Sequence, residues 1–270
     1  MHVAEAGIGD PVLALHGFPQ HWYAWRHVIP RLADDYHLIC PDRRGAGWSD
    51  APRSGYSTEA GVDDLLALMD ALGLERVRLI GHQSGAWIGF NACLRAPERF
   101  SHFLALNMIH PWPAQRSLVL GAWRQWYTAL IEYPGLGAWV LRTKPGLVRY
   151  LLRHGVTDPS IWTAGDLDEF VAVTQEPARA RAGQAMHWQF VLHDIPRLAT
   201  RHYRHARLIV PTRLLFGAED FAVSPRVLAG GEAHADDLRI TVVPGVGQLI
   251  VDERPDVVAD AARSFFKVSP

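Results

Sequence analysis

The 270-residue chain has little cysteine, almost no net charge and no long apolar run. Its two cysteines, Cys40 and Cys93, fit two buried thiols in a reducing cytoplasm rather than a disulfide or a metal site. A net charge of −1 gives no electrostatic case for nucleic acid or an anionic membrane. No segment approaches the length of a membrane span, and no charged-then-apolar leader opens the chain. We therefore expect a cytoplasmic monomer or homodimer without nucleic-acid or membrane partners.

Short apolar runs alternate with helical patterns over much of the chain. Strands are predicted at residues 1–6, 12–15, 36–40, 77–80, 103–106, 208–216 and 238–243, and helices at 26–33, 58–72, 86–96 and 256–266. This alternation predicts an α/β fold, in which a mostly parallel sheet carries helices on both faces. We see no internal repeat and no low-complexity segment.

The alternation is interrupted after Pro113. Residues 114–205 contain no convincing β run and are predicted to form short helices, broken near Pro134, Pro145, Pro159 and Pro177. Open α/β sheets bind ligands at the carboxyl ends of their strands, so a helical insertion at this point predicts a cap over that edge. The predicted division is a core domain (1–113), a helical cap (114–205) and the rest of the core (206–270).

The most informative stretch is residues 77–90, where a buried strand runs directly into a helix. Gly81 and Gly85 flank the turn, as in the nucleophile elbow, whose central residue is held in strained φ/ψ. That central residue should be Ser, Cys or Asp, but here it is Gln83. A carboxamide is not an ordinary nucleophile because its nitrogen lone pair is delocalised.

With its other motifs, the chain resembles the α/β-hydrolase family, and most closely the branch of epoxide hydrolases and haloalkane dehalogenases. The resemblance is carried, in order, by the stretches 16–20, 42–49, 81–85, 107–112, 217–220 and 244–255. It implies an α/β-hydrolase fold with an all-helical cap inserted after the sixth family strand. By the same comparison the chain starts late, which leaves open whether the family's first strand is present.

The resemblance also shows where this chain departs from the family's chemistry. An epoxide hydrolase would carry an Asp nucleophile at position 83 and a His base at 248, but this chain has Gln83 and Gln248. Of the two cap tyrosines that assist epoxide opening, one is matched by Tyr127 and the other by His187. Neither glutamine titrates, so we expect no covalent intermediate through residue 83.

The resemblance implies that non-covalent features of the site remain. The backbone N–H groups of Phe18 and Ser84 are expected to form an oxyanion hole. Asp220, at the position of the family's acid, has lost its cationic partner. If it is buried, its pKa should rise so that it can act as a general acid or base, or it can simply accept hydrogen bonds from Gln248. His187 is a candidate proton shuttle.

The remaining site predictions concern the ligand. Trp112, Trp126 and Trp188 suggest an aromatic-lined pocket for an apolar small molecule. No metal-ligand spacing is found among His21, His27, His154, His193, His202 and His205, so neither a metal nor another cofactor is predicted.

Three functions stay open at this point. The first is an enzyme that catalyses a non-covalent cyclisation, dehydration, isomerisation or lyase reaction on an apolar oxygenated molecule, for which a role in natural-product biosynthesis would be suitable. The second is an epoxide hydrolase or dehalogenase inactivated by engineered substitutions. The third is a non-catalytic protein that binds a small molecule.

Overall fold

The computed structural model describes residues 1–121, 124 and 128–267, and its centre is a seven-stranded sheet. The strands are β1 (Val3–Ala6), β2 (Asp10–Leu15), β3 (Tyr36–Pro41), β4 (Val77–His82), β5 (Phe100–Leu106), β6 (Thr212–Gly217) and β7 (Leu238–Val243). Their order across the sheet is β1-β3-β2-β4-β5-β6-β7, in which only β1 is antiparallel to its neighbour.

Helices cover both faces of this sheet. Alternate strand residues point to opposite faces, so Leu13 and Leu15 pack with α2 (Thr58–Ala71) and α3 (Ser84–Arg95). Val12 and Ala14 pack on the other side, in the core that also holds residues of α1 (Ile29–Leu32) and α12 (Pro255–Phe266). Parallel strands are apolar throughout because both of their faces are buried. The predicted α/β architecture, a mostly parallel sheet with helices on both faces, is therefore confirmed.

A run of helices separates β5 from β6. It comprises α4 (Gln115–Gly121), α5 (Thr128–Glu132), α6 (Leu136–Thr143), α7 (Pro145–His154), α8 (Ala164–Gln175), α9 (Pro177–Gln189) and α10 (Ile195–Ala199), and α11 (Ile250–Glu253) follows β7. Pro145 and Pro177 each begin a helix, where the missing N–H costs no hydrogen bond. The domain boundaries at 113 and 205 stay predictions.

Two predicted elements are shorter than expected because of proline. The strand predicted at 208–216 begins at Thr212, since Pro211 has no N–H for the sheet, and Leu208 forms only an isolated bridge with Ala235. The helix predicted at 26–33 is restricted to Ile29–Leu32, because Pro30 cannot donate to the carbonyl of Arg26. A 3₁₀ turn, Trp22–Trp25, takes up the preceding residues.

Two further findings concern features predicted from composition. Cys40 and Cys93 are both buried free thiols. Among the helices of the described ranges, none combines the length and apolar character needed to cross a bilayer.

A buried ion cluster joins the segment after β2 to α8 and α11. Arg26 Nη1 donates to Asp252 Oδ1 at 2.6 Å, and Gln20 Nε2 donates to Asp252 Oδ2 at 2.7 Å. Arg26 Nε lies 2.8 Å from Asp166 Oδ1 at the start of α8. The guanidinium therefore compensates two carboxylates that have little access to solvent.

We expect Arg26→Met to lower the free energy of unfolding by about 3–5 kcal/mol, because it leaves buried carboxylates without a cation. The matched control is Arg207→Met, which breaks the exposed Arg207–Asp236 pair and should cost less than about 1 kcal/mol. Urea unfolding followed by circular dichroism measures both values. Equal losses for the two variants would contradict this assignment.

Candidate active site

The carboxyl ends of the central strands bring distant residues to one edge of the sheet. Leu15 of β2 pairs with Gly81 of β4, which in turn pairs with Ala105 of β5. The loops that follow these strands therefore lie side by side. This is the edge at which open α/β sheets bind ligands.

Gln83 occupies the turn between β4 and α3 in a strained conformation, with φ of +48° and ψ of −123°. Its N–H donates to the carbonyl of Leu106 at 2.9 Å, and its carbonyl accepts from the N–H of Trp87 at 3.0 Å. Both backbone groups of the strained residue are thus satisfied, which fixes the direction of its side chain.

Three glycines make this turn sterically possible. A Cβ at Gly81 would lie 2.6 Å from the Cα of Ala86, and a Cβ at Gly85 would lie 2.3 Å from the carbonyl oxygen of Leu15. A Cβ at Gly17 would lie 2.3 Å from Gln83 Oε1, so the carboxamide rests against the loop after β2. The glycine spacing in the sequence reflects this close contact of strand, loop and helix.

The elbow opens into a cavity of about 670 Å³. Gln83, Gln248, Phe18, Ser84 and His187 all line it. Most of the remaining lining is apolar, and its aromatic side chains include those of Tyr56, Trp87 and Phe190. No hydrogen bond joins the Gln83 carboxamide to any residue in the described ranges, so its donor and acceptor are available to a ligand.

The predicted aromatic residues of the pocket need correction. Trp112 is buried elsewhere: its indole N–H donates to the carbonyl of Tyr203 at 2.6 Å and its ring stacks on His234. Large indoles are placed where the N–H finds a partner, and Tyr203 supplies one. Trp188 is half-buried, and neither it nor Trp112 is among the described residues that line the cavity. Trp126 and Tyr127 lie outside the described residues.

Asp220 is held by neighbours other than the one expected. Its Oδ1 accepts from the N–H groups of Ala222 and Val223 at 2.8 and 2.9 Å, and its Oδ2 accepts from Asn107 Nδ2 at 3.1 Å. Burial raises its pKa to about 6. The expectation that Gln248 would donate to it is wrong, because Asn107 occupies that role.

Asn107, at the end of β5, joins two other loops through the hydrogen bonds of its side chain. It has a φ of +46°, and its Nδ2 also donates to the carbonyl of Gly247 at 3.1 Å. The carbonyl of Gln248 is bound in turn by His82 Nε2 at 2.9 Å. These bonds hold the loop of Gln248 by its backbone and leave the side chain facing the cavity.

His187 lies on α9, opposite the elbow. Its Nδ1 lies 2.8 Å from the carbonyl of Gly183, which can only accept, so Nδ1 carries the proton and Nε2 is a free base. The ring packs edge-on against Phe18, with centroids 4.4 Å apart. Burial, together with the positive charge of Arg43, lowers the pKa of His187 below its usual value.

The sequence analysis missed Arg43 and Glu132, which both line the cavity. Arg43 Nη2 donates to Ser84 Oγ at 2.8 Å, so this hydroxyl is bonded to a cation. Glu132, at the end of α5, has a pKa raised by burial. The two arginines after Asp42 were a signal for Arg43, but their spacing does not show which of them points inward.

The described residues contain no group of three or more His, Cys, Asp or Glu side chains placed to hold a metal ion. His16 uses both ring nitrogens within its own loop, at the carbonyl of Gly17 and the N–H of Arg43. Its role in the geometry is therefore to brace the loop.

Comparisons with known proteins agree with this architecture. The family model described as alpha/beta hydrolase fold matches residues 10–255. A soluble epoxide hydrolase from Corynebacterium sp. (strain C12) is 28% identical, and the match covers 98% of this chain and 93% of that protein. Epoxide hydrolase 4 from Mus musculus is 26% identical, with coverage of 98% and 76%.

Solved structures give the same result. Wild-type Cfl2 from Burkholderia cenocepacia superposes with a TM-score of 0.86 at 27% identity, covering 98% of this chain and 92% of that one. The epoxide hydrolase CorEH superposes with a TM-score of 0.83 at 26% identity, covering 98% and 94%. Because the family model spans most of its length, this chain belongs to the α/β-hydrolase fold family, and its relatives place it in the epoxide-hydrolase-like branch.

Proposed function

We propose that this chain is an enzyme that transforms an apolar oxygenated small molecule without a covalent intermediate, by cyclisation, dehydration, isomerisation or a lyase step. The observation that carries the proposal is the neutral Gln83 carboxamide at the focus of the elbow. Residue 83 offers a donor and an acceptor to the ligand but no nucleophile.

The retained strain at Gln83 supports a functional site. A non-glycine residue with φ of +48° and ψ of −123° costs of the order of 1–3 kcal/mol and persists only where its surroundings enforce it. Such strain clusters at active sites, and the side chain it presents here faces a large apolar cavity.

His187 is the group best suited to move a proton in this site. A lowered pKa keeps the imidazole neutral at pH 7, and its free Nε2 can accept a proton from a bound molecule. The N–H groups of Phe18 and Ser84, at the loop and the α3 N-terminus, would stabilise negative charge on a substrate oxygen. Asp220, bonded to Asn107 and backbone, then serves as a structural brace.

The full set of bonds at Asp220 also suits the alternative of a non-catalytic binding protein. Incubation with apolar oxygenated metabolites of the host, followed by mass spectrometry, separates the two. Cyclisation or isomerisation gives a product with the same mass as the substrate. Dehydration gives a product that is lighter by one water molecule, and a lyase step gives two smaller products. Tight binding with no product in single-turnover incubations would overturn the catalytic proposal.

We expect the wild-type protein to show no mass change with styrene oxide, whereas Gln83→Asp should accumulate a covalent ester. The new carboxylate is a nucleophile in the strained elbow, and Gln248 cannot activate water to hydrolyse the ester. Intact-protein mass spectrometry measures the adduct. Gln83→Asn, which is polar but not nucleophilic, is the control, and an adduct on wild-type residue 83 would refute a non-covalent mechanism.

We expect His187→Phe to lower kcat by about 10²–10⁴-fold, the usual contribution of a positioned acid–base group. Wild-type kcat should be constant near pH 7 and fall at acid pH with a midpoint below 6.5, because only the neutral imidazole accepts a proton and its pKa is lowered. Asp220→Asn, which keeps an acceptor for the N–H groups of Ala222 and Val223, should retain most of the activity. A larger loss in Asp220→Asn than in His187→Phe would reverse the two roles.

A further inference from the structure

Among the described residues Arg43 has no carboxylate partner, in contrast to Arg44 beside it. Its neighbour Arg44 also lines the cavity but makes two hydrogen bonds to Asp64. Asp42, on the other side, accepts from the N–H groups of Trp22 and Trp48. Neither carboxylate is therefore free to neutralise Arg43.

Within the part of the chain that the structure describes, the Arg43 guanidinium donates hydrogen bonds to uncharged groups only. Nη2 donates to Ser84 Oγ at 2.8 Å and lies 3.7 Å from Met186 Sδ. Nε is buried without a partner. Nη1 makes no hydrogen bond within the described part of the chain, and it is not enclosed, so its accessible surface faces the open space beside it.

The described groups next to this guanidinium are electropositive or neutral, and the carboxyl of Glu132, which lines the same cavity, has a pKa raised by burial. His16, His82 and His187 have pKa values lowered by burial, so all three imidazoles are uncharged at neutral pH. Ser84 begins α3, whose N-terminal end carries partial positive charge. The lining thus presents a cation, a helix N-terminus and the Gln83 carboxamide, all of which can donate hydrogen bonds to an anion.

We propose that Arg43 anchors a carboxylate on the small molecule that this cavity binds. The free N–H groups of Nη1 can donate charge-assisted hydrogen bonds to an oxygen of a ligand carboxylate, while Nη2 stays bonded to Ser84 Oγ. A buried charge needs a counter-charge, and within the described residues no carboxylate forms an ion pair with Arg43, so a ligand carboxylate would supply it. The predicted substrate class is an apolar acid, with its carboxylate at the elbow and its hydrocarbon part in the remaining cavity.

This inference deepens the proposed function, because it names the ligand of the same site, but its test needs no turnover. The probes are straight-chain carboxylates from butanoate to dodecanoate, each paired with its primary amide, which has the same shape and no charge. Binding is measured by isothermal titration calorimetry at pH 7.5. We expect carboxylates that bind the wild-type protein to do so at least tenfold more tightly than their amides, a difference of about 1.4 kcal/mol.

The variants test whether Arg43 is the source of this preference. In Arg43→Met the ratio of the amide Kd to the acid Kd should fall to about one. Arg43→Lys should retain part of the preference for the acid, because lysine keeps the charge but lacks the planar guanidinium. Arg44→Met is the matched control: this neighbouring arginine is already neutralised by Asp64, so the preference should persist. Thermal unfolding checks each fold, and Arg43→Met should melt no lower than wild type because it removes an uncompensated charge.

The outcomes separate the two proposals. If no carboxylate in the series binds the wild-type protein more tightly than its amide, or if Arg43→Met keeps the preference, the carboxylate anchor is overturned while non-covalent turnover stands. If the preference behaves as expected but no bound acid is ever converted, the anchor stands and the proposed enzymatic function fails. Should Arg43→Met not fold, the wild-type ratio and Arg43→Lys decide.

Discussion

The strained backbone of Gln83 is the constraint around which the site is built. A strand can turn directly into α3 only if the residues beside it lack side chains, which accounts for Gly81, Gly85 and Gly17. The constraint acts on the backbone and says nothing about the side chain at the focus. The fold therefore accommodates a carboxamide at the focus of the elbow, with both backbone groups of that residue hydrogen-bonded. At this residue the backbone conformation does not determine the chemistry of the side chain.

In the loop after β6, which carries Asp220, structure is likewise independent of reactivity. Asp220 and Asn107 join the ends of β6 and β5, and Asn107 extends the connection to Gly247 beside Gln248. These hydrogen bonds use both carboxylate oxygens of Asp220, and their donors are the Asn107 side chain and backbone N–H groups rather than a catalytic base. Asp220 and Asn107 together thus support the loops that follow β5, β6 and β7. Its retention in the sequence is no evidence for acid–base catalysis, because the bonds it makes are sufficient to explain it.

Much of the fold was predictable from the order of the motifs, since glycine spacing and strand–helix alternation report backbone constraints directly. The starts of β6 and α1 were harder to predict, because single prolines at positions 211 and 30 interrupt stretches whose apolar pattern favours a strand or a helix. Side-chain environments were harder still. Trp112 is apolar and lies near the site in sequence, yet the carbonyl that captures its N–H belongs to Tyr203, 91 residues away. Composition cannot reveal a partner at that distance.

The direction in which each side chain of an irregular loop points is the property hardest to predict from sequence, and here it decides the chemistry of the site. Asp42, Arg43 and Arg44 are consecutive, but they turn to backbone N–H groups, to the cavity and to Asp64 respectively. An ionised residue 83 would add a negative charge to the cavity lining that it shares with Arg43. A carboxamide adds no charge, so the cation stays available, and burial together with the charge of Arg43 lowers the pKa of His187. The neutral elbow and the unpaired arginine are therefore consistent parts of one site, suited to an anionic ligand rather than to a nucleophile.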